Sequence, residues 1–423
     1  MRILVVGSGG REHAICLAFS KSPKVSKLFC ANGNAGIASI AECVAIKPED
    51  IEKLAEFASE NNVDMTFIGG ETPLAMGVVD EFESRGLKVI GASKAAARLE
   101  ASKAFSKDFM IRHGVPTAEY YVAETVADAR AVLEQGRFGG PTEPVVIKAD
   151  GLAAGKGVIV APNRLEALKG LEELESIAGK DATNRIVIEE CLTGREVSLI
   201  MFCDGKSFAL LPPTRDHKRI GDGDKGPNTG GMGTITDASL LTDDQTSEIV
   251  ETVIKPTLEG CVAEGFPFRG ILFLGLMMTP EGPKVLEYNV RFGDPETQAI
   301  LVRLQTDLVD VCEAMIAGTL DGTKIEWLPG SSACVILAAE GYPSKPRTGD
   351  VIEGLGEAAK EPDVTVFHAG TTLSDSGDIL TAGGRVVGVT ATGHELTAAL
   401  DKAYAAAGKI SWPGMQYRKD IGK

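Results

Sequence analysis

The chain has 423 residues, of which 44% are hydrophobic, and a formal net charge of −16 at pH 7. This length predicts two to four domains, and the dispersed acidic residues disfavour a general nucleic-acid-binding surface. No apolar run reaches the roughly 18–20 residues of a membrane span, and the eight cysteines form no CxxC pair, which is typical of reduced thiols in the cytoplasm.

The first hundred residues alternate apolar strands with amphipathic helices, a pattern typical of a parallel sheet with helices on both faces. The predicted strands are Ile3–Gly7, Lys27–Ala31, Met65–Gly69 and Lys88–Gly91. The predicted helices are Arg11–Ser20, Pro48–Asn61 and Pro73–Arg85. The predicted fold class is therefore a doubly wound parallel α/β domain, followed by segments of α+β character.

Three further segments follow the parallel sheet. The second carries short strands around a glycine-rich loop, at Val145–Ala149, Val158–Ala161 and Ile186–Glu190. The third has longer strands, at Glu196–Phe202, Gly270–Met278 and Lys284–Asn289. The last begins near Ser331, contains the apolar runs ACVILAA, VTVFHAG and RVVGVTATG, and closes with a helix from about His394.

The first strand runs into the glycine loop GSGGRE at 7–12, just before a predicted helix. Glycines let the backbone turn tightly, and a helix N-terminus offers free N–H groups and partial positive charge to an anion. A dinucleotide fingerprint would need glycine where Glu12 stands and an acid where Asn32 stands. The loop therefore favours a phosphate site with Arg11 as its clamp, and a tight turn without ligand is the alternative.

A second glycine loop lies in VVIKADGLAAGKGV at 145–158. It resembles a Walker A loop only superficially, because three residues separate Gly151 from Gly155 and Gly157 replaces the serine or threonine. Lys148, on the preceding strand, is placed to meet phosphate oxygens while the loop closes as a lid that excludes water. The alternative is a plain hairpin with a solvated lysine.

A third glycine loop, GPNTGGMG at 226–233, follows the charged cluster RDHKR at 215–219. Such a charge run is usually a solvated surface loop. Because it lies beside glycine-rich stretches, an anion-facing loop is an equal alternative.

The stretch KVLEYNVRFGDPE at 284–296 is the most informative part of the chain. Positions two apart share a face of a strand, so Glu287, Asn289 and Arg291 are predicted to project together with Val285. One carboxylate and one amide oxygen on a common face suit Mg²⁺, and Arg291 can neutralise a transferring phosphoryl group. An exposed polar face is the alternative. The opposite, core-like face is predicted to hold Leu286, Tyr288 and Val290.

Eight short motifs lie in order from the first residues to the last few. They are GGREHA at 9–14, NAG at 34–36, SKAF at 102–105, IKADGLAAGKGV at 147–158, DHKR at 216–219, GPNTGGMG at 226–233, RFGDPETQ at 291–298 and RKDIG at 418–422. In these motifs the chain resembles the glycinamide ribonucleotide synthetases, also called phosphoribosylamine–glycine ligases, of the ATP-grasp superfamily.

The resemblance implies four parts: a phosphoribosylamine-binding α/β domain (1–105), a linker helix with the ATP-grasp lid (106–190), a central ATP-grasp domain with the metal site (191–325) and a small C-terminal α+β domain (326–423). It implies ATP-dependent ligation of glycine to 5-phosphoribosylamine through glycyl phosphate, giving glycinamide ribonucleotide, ADP and phosphate in purine biosynthesis. It also implies Mg²⁺ or Mn²⁺ and small-molecule substrates. We further expect a cytoplasmic monomer with no nucleic-acid or membrane partner.

The resemblance also implies roles for individual residues. Those implied to bind ATP are Lys103, Lys148, Gly155, Lys156, Glu189, Glu190, Cys191, Leu192 and Glu196. Those implied to line the phosphoribosylamine site are Gly9, Gly10, Arg11, Glu12, Asn34, Gly70 and Glu71. The metal would bind Glu287 and Asn289, and the reacting groups would lie among Asp216, Lys218, Arg291 and Asp294.

The chain departs from the family pattern in three places. Thr234–Asp237 replaces a common Ala-Tyr-Ser-Pro, Arg215 replaces a common glutamine, and Gly70 and Thr72 replace the proline and alanine of a common GPEAP turn. The rival functions are another ATP-grasp ligase or carboxylase, a non-catalytic nucleotide-binding protein, and a dehydrogenase. The RFGDPE stretch and the N-terminal loop favour the glycine ligase.

Overall fold

The computed structural model describes residues 1–152, 157–178 and 185–423. The N-terminal region is a parallel sheet in the order β3-β2-β1-β4-β5. Its strands are β1 Arg2–Gly7, β2 Lys27–Asn32, β3 Glu42–Val44, β4 Met65–Ile68 and β5 Val89–Ile90. The helices of this region are α1 Gly10–Ser20, α2 Ile51–Glu60, α3 Glu71–Met76, α4 Val78–Ser84 and α5 Lys94–Ala101.

The predicted doubly wound sheet is confirmed. Its central strand β1 is buried on both faces, as a parallel sheet between helices requires. The helix predicted over 73–85 is wrong in one respect, because it breaks at Gly77, whose left-handed φ of 100° ends α3 and begins α4. The sequence pattern also missed β3, which is only three residues long and mostly exposed.

A second sheet is antiparallel and has the order β6-β9-β7-β8. Its apolar face packs against two helices around a core of its own, and the predicted bounds of β7, β8 and β9 are confirmed. The elements of this region, with the helix that leads into it, are α6 Lys103–Arg112, β6 Tyr120–Ala123, α7 Val126–Gln135, β7 Val145–Ala149, β8 Val158–Ala161, α8 Arg164–Ala178 and β9 Ile186–Glu190.

The rest of the chain is built on one long sheet, in the order β17-β16-β10-β12-β15-β18-β22-β19, with β11 beside β10. Its strands up to residue 289 are β10 Arg195–Asp204, β11 Phe208–Leu210, β12 Thr214–Asp216, β15 Gly233–Thr236, β16 Arg269–Thr279 and β17 Gly282–Asn289, with the hairpin β13 Arg219–Gly221 and β14 Lys225–Asn228 beside them. The charged cluster and third glycine loop therefore lie largely on short strands.

The strands of the last segment continue this sheet, because β15 pairs with β18. They are β18 Ser331–Ala338, β19 Val364–His368 and β22 Arg385–Gly393, with the hairpin β20 Thr371–Leu373 and β21 Ile379–Thr381. The helices that accompany the long sheet are α9 Asp243–Ile249, α10 Lys255–Ala263, α11 Glu296–Leu301, α12 Leu308–Ala317, α13 Leu355–Ala358 and α14 Leu396–Ala407. Every helix within the described ranges falls short of the length and apolarity needed to cross a bilayer.

The β16–β17 hairpin contains a β-bulge that corrects one prediction. Gly275 pairs with Glu287, but Leu276 pairs with Val285, so Leu286 is the extra residue. The extra residue shifts the alternation of side chains. Val285 is consequently buried in the core and Leu286 lines the cavity beside Glu287, the reverse of the predicted arrangement.

The segment after β17 is fixed between two sheets by Phe292. Its ring stacks on Phe67 of the parallel sheet, with centroids 5.9 Å apart, and meets Phe202 of the long sheet edge-on at 6.0 Å. Phe292 is fully buried. The neighbouring Arg291 is thereby held where the two sheets meet.

Candidate active site

A cavity of about 760 Å³ opens where the parallel sheet, the four-stranded antiparallel sheet and the long sheet meet. Eleven lysines and arginines and ten aspartates and glutamates line it, a concentration of cations unlike the acidic chain as a whole. Of the predicted site residues, it brings together Arg11, Glu71, Lys103, Lys148, Glu189, Glu190, Cys191, Leu192, Glu196, Asp216, Lys218, Glu287, Asn289, Arg291 and Asp294. Gly155 and Lys156 lie outside the described residues.

Glu287 and Asn289 project from the same side of β17 into this cavity. The ammonium group of Lys218 lies 3.6 Å from Glu287 Oε1, and the amide oxygen of Asn289 accepts a hydrogen bond of 3.1 Å from Arg291. The Glu287 side chain is 34% exposed and faces open cavity. An anionic carboxylate and an amide oxygen with free lone pairs fit a hard divalent cation that completes its shell with water and phosphate oxygens.

Four cations keep Glu287 ionised. Burial alone would raise the pKa of this carboxyl, but Lys218, Lys148, Lys103 and Arg291 outweigh burial and lower the pKa to about 2. In return, Glu287 is the main cause of the raised pKa of Lys218. The carboxylate can therefore bind a metal without first losing a proton.

Arg291 is held by acids from two other elements. Its guanidinium lies 3.2 Å from Glu71 on α3 and 2.8 Å from Glu100 on α5. Burial tends to raise the pKa of Glu71, but Arg291 and Arg11 lower it overall, whereas burial prevails and raises the pKa of Glu100. Arg291 is thus fixed in one orientation towards the cavity, with part of its charge left for a ligand.

Lysines from β7 and α6 meet at a buried carboxylate. Lys148 on β7 lies 2.8 Å from Glu189 Oε1 and donates a 3.0 Å hydrogen bond to the carbonyl of Leu286. Lys107 on α6 lies 3.0 Å from Glu189 Oε2. Lys103, one turn earlier on α6, donates to the carbonyl of Gly151 at 3.2 Å. Gly151, which precedes the rest of the glycine loop, is therefore tied to α6, the helix that carries Lys103 and Lys107.

A second group of acids surrounds the cavity near Arg385. Burial and the nearby Glu296 raise the pKa of Asp216, and burial likewise raises the pKa of Glu296. Burial also tends to raise the pKa of Asp294, but Arg385, 3.3 Å away, and Arg11 bring it below its usual range. This corner thus holds carboxyl groups whose pKa values are shifted in opposite directions.

The predicted glycine-loop residues lie behind the cavity wall rather than on it, with Arg11 as the exception. Glu12 is buried, and its two oxygens accept from the Gly9 N–H and from Arg11 Nε, both at 2.6 Å. Its side chain occupies the space where a Cβ on Gly7 or Gly69 would stand. The glycines are needed to admit Glu12, which orients Arg11.

The side-chain amide of Asn34 holds loops together through hydrogen bonds of both its nitrogen and its oxygen. Its Nδ2 donates to the carbonyls of Ser8 at 2.8 Å and His368 at 2.9 Å, and its Oδ1 accepts from the N–H groups of Gly36 and Ile37, both at 3.0 Å. The side chain is buried. Asn34 thereby links the parallel sheet to the last segment of the chain.

Sequence reasoning missed several residues that the fold brings to the cavity. Lys107 gave a weak signal, because it stands four positions after Lys103 on one helix and so shares its face. The others could be recognised only from tertiary structure, and they are Glu100, Arg385 and, as an individual site residue, Glu296.

Family models match nearly the whole chain. The N domain of phosphoribosylglycinamide synthetase matches residues 1–100, its ATP-grasp (A) domain matches residues 101–297, and its C domain matches residues 332–423. A phosphoribosylamine–glycine ligase of Xanthomonas axonopodis pv. citri is 48% identical over 428 aligned positions, which cover 100% of this chain and 97% of that protein.

Solved structures agree with this match. A crystal structure of phosphoribosylamine–glycine ligase from Thermotoga maritima superposes with a TM-score of 0.83 at 34% identity, covering 99% of this chain and 100% of that one. The biotin carboxylase domain of 2-oxoglutarate carboxylase from Hydrogenobacter thermophilus, a complex with MgADP, ADP and bicarbonate, gives 0.73 at 17% identity, covering 98% and 91%. The second likeness shows a shared fold.

Proposed function

The chain belongs to the phosphoribosylglycinamide synthetase family, and from that premise we propose how its cavity performs the family's reaction. It is an ATP-grasp enzyme that joins glycine to 5-phosphoribosylamine at the expense of ATP and forms glycinamide ribonucleotide in purine biosynthesis. The ATP-grasp family uses ATP together with a divalent metal.

The observation that carries the proposal is the convergence of cations around one ionised carboxylate. Lys103, Lys148, Lys218 and Arg291 all act on Glu287 and all line the same cavity. A triphosphate needs this combination, because its charge must be neutralised while a metal ligand stays ionised. We assign the phosphates to Lys103 and Lys148, adenine to Glu189, Glu190, Cys191 and Leu192, and the ribose to Glu196.

Glu287 and Asn289 would hold Mg²⁺ or Mn²⁺. The bound ion would neutralise phosphate charge and orient the γ-phosphoryl group. The chain itself supplies the carboxylate in its ionised form and the amide oxygen, which Arg291 orients through a hydrogen bond. Two protein ligands suffice for a hard cation that keeps water and phosphate oxygens in its shell.

The proposed chemistry has two steps. A carboxylate oxygen of glycine attacks the γ-phosphorus and the bond to the ADP oxygen breaks, which gives glycyl phosphate. The amine of phosphoribosylamine then attacks the carbonyl carbon, the bond to phosphate breaks, and the nitrogen loses a proton. Positioning and charge stabilisation supply most of the catalysis, with Asp216, Lys218, Arg291 and Asp294 around the reacting groups.

The acceptor would enter from the parallel sheet. Arg11 and Glu71 face the cavity there, and the segment of Gly9, Gly10, Glu12, Asn34 and Gly70 supports them from behind. An arginine beside a helix N-terminus suits the 5-phosphate. Closure of the loop that includes Gly155 and Lys156 would keep water from the acyl phosphate. We further propose a cytoplasmic monomer in four parts, without nucleic-acid or membrane partners.

The test is an ADP-release assay with phosphoribosylamine generated in place. ADP should appear at the full rate only when ATP, glycine and phosphoribosylamine are all present. With glycine labelled by oxygen-18 in its carboxylate, one labelled oxygen per turnover should reach inorganic phosphate. Unlabelled phosphate would exclude the glycyl phosphate route, and turnover with another acid in place of glycine would contradict the substrate assignment.

A further inference from the structure

Lys107 does not belong to the set that the motifs single out, yet it lies at the centre of a buried polar network beside the nucleotide pocket. Glu189 is 1% exposed, Lys107 is 2% exposed and Lys148 is 6% exposed. The two oxygens of Glu189 are divided between the lysines, with Oε1 2.8 Å from Lys148 and Oε2 3.0 Å from Lys107.

The same network reaches the strand of the metal ligands by two routes. Lys107 donates to Thr117 Oγ1 at 2.7 Å, and Thr117 Oγ1 donates to the carbonyl of Val285 at 2.7 Å. Lys148 donates to the carbonyl of Leu286 at 3.0 Å. Val285 and Leu286 are the residues around which the bulge of β17 forms, immediately before Glu287.

The charges of this buried cluster sum to +1 when both lysines are protonated. Without Lys107, Glu189 and Lys148 would form a closed neutral pair, and a buried pair of this kind is tightly coupled because little water screens it. The charge of Lys148 would then be neutralised by Glu189 and would not be available to a ligand. With Lys107 present, Glu189 already has a partner, and one positive charge is left at the cavity wall.

We propose that Lys107 is a positioning residue, which neutralises Glu189 and thereby leaves the charge of Lys148 to the phosphates of ATP. The proposal rests on the assignment of Lys148 to those phosphates. Lys107 acts through Glu189, and it contributes to nucleotide affinity far more than to glycine affinity.

The test compares Lys107→Met, which keeps length and removes charge, with Lys107→Arg, which keeps a positive charge beside Glu189. At pH 7 Lys107→Met should raise the KM for ATP about tenfold or more, with a much smaller change in the KM for glycine. Lys107→Arg should keep the KM for ATP within about threefold of wild type. Lys169→Met, an exposed lysine of α8, is the matched control and should leave both values unchanged.

Three outcomes would overturn the proposal: an unchanged KM for ATP in a folded Lys107→Met enzyme, equal increases in both KM values, or a Lys107→Arg enzyme as impaired as Lys107→Met. If Lys107→Met does not fold, Lys107→Gln, which removes the charge but keeps a hydrogen-bonding group beside Glu189, decides through the same increase in the KM for ATP. Lys148→Ala distinguishes a failure of this proposal from a failure of the phosphate assignment of Lys148 on which it rests. A normal KM for ATP in Lys148→Ala would refute the phosphate role of Lys148, whereas a raised value there beside an unaffected Lys107→Met would refute only the role of Lys107.

Discussion

The parallel sheet and the two antiparallel sheets present their functional side chains in different ways. In the parallel sheet, Arg11 and Glu71 follow the carboxyl ends of β1 and β4, at the starts of α1 and α3. In the antiparallel sheets, Lys148 and Glu287 project from the faces of strands, within the hydrogen-bonded ladder. The orientation of loop residues depends on contacts with other loops, whereas the orientation of strand residues is fixed by the pairing of the sheet.

This difference predicts two kinds of mutational effect. A change on a strand face should remove a ligand contact and leave the fold intact, since the strand is held by its backbone pairing. A change among the loops of the parallel sheet should disturb stability and binding together, because the same side chains close the loops and shape the site.

Glu287→Gln should have the largest effect. It removes the anionic metal ligand and leaves four cations without their common carboxylate, so turnover should fall by about 10²–10³-fold or more, with the fold intact. Steady-state turnover at saturating ATP and metal measures this, with the exposed Glu259→Gln of α10 as the matched control. Near-normal turnover would show that Glu287 is not a metal ligand.

Lys148→Ala should have the second largest effect. Loss of one charge-assisted contact to phosphate should weaken nucleotide binding about 10–100-fold and change glycine binding much less. Titration calorimetry with ADP, beside the KM for glycine, provides the comparison, and Lys53→Ala on the exposed face of α2 is the control. Equal losses for both substrates would contradict a strand-face contact specific to the nucleotide.

Asn34→Ala tests the loop side of the comparison. Four backbone groups lose their partner, so the free energy of unfolding should fall by about 2–3 kcal/mol, and the KM for phosphoribosylamine should rise more than that for ATP. Urea denaturation and steady-state kinetics measure the two effects. A raised KM for phosphoribosylamine without loss of stability would show that Asn34 contacts the substrate directly.

The smallest expected effect is a pH dependence of nucleotide binding. Burial lowers the pKa of Lys107 to about 8, with Lys148 acting in the same direction and Glu189 and Glu190 opposing it, and the ring of Tyr120 lies 5.8 Å away. Lys107 is therefore charged below about pH 8 and neutral above it. The Kd for ADP should rise a few-fold between about pH 7 and pH 9. Lys107→Arg, which stays charged over this range, should flatten the profile.

The sequence by itself determined much of the fold and the chemical character of the site. Continuous apolar runs gave the buried parallel strands, because a sheet covered on both faces needs apolar residues at every position. The two-residue spacing of Glu287 and Asn289 placed them on one face. The glycine loops and the RFGDPE stretch indicated the enzyme family, which the comparisons confirm.

Only the tertiary structure decided which charges meet. The Arg291–Glu71 pair joins residues 220 positions apart, and Glu189 meets Lys107 only because α6 packs beside β9. The sequence does not show which partner a charged side chain will meet, because any opposite charge would serve. The packing of the sheets determines which charges come together. The bulge at Leu286 also depends on the tertiary structure. One extra residue in a paired strand leaves no trace in the apolar pattern of the sequence, yet it exchanges which side chains face the core.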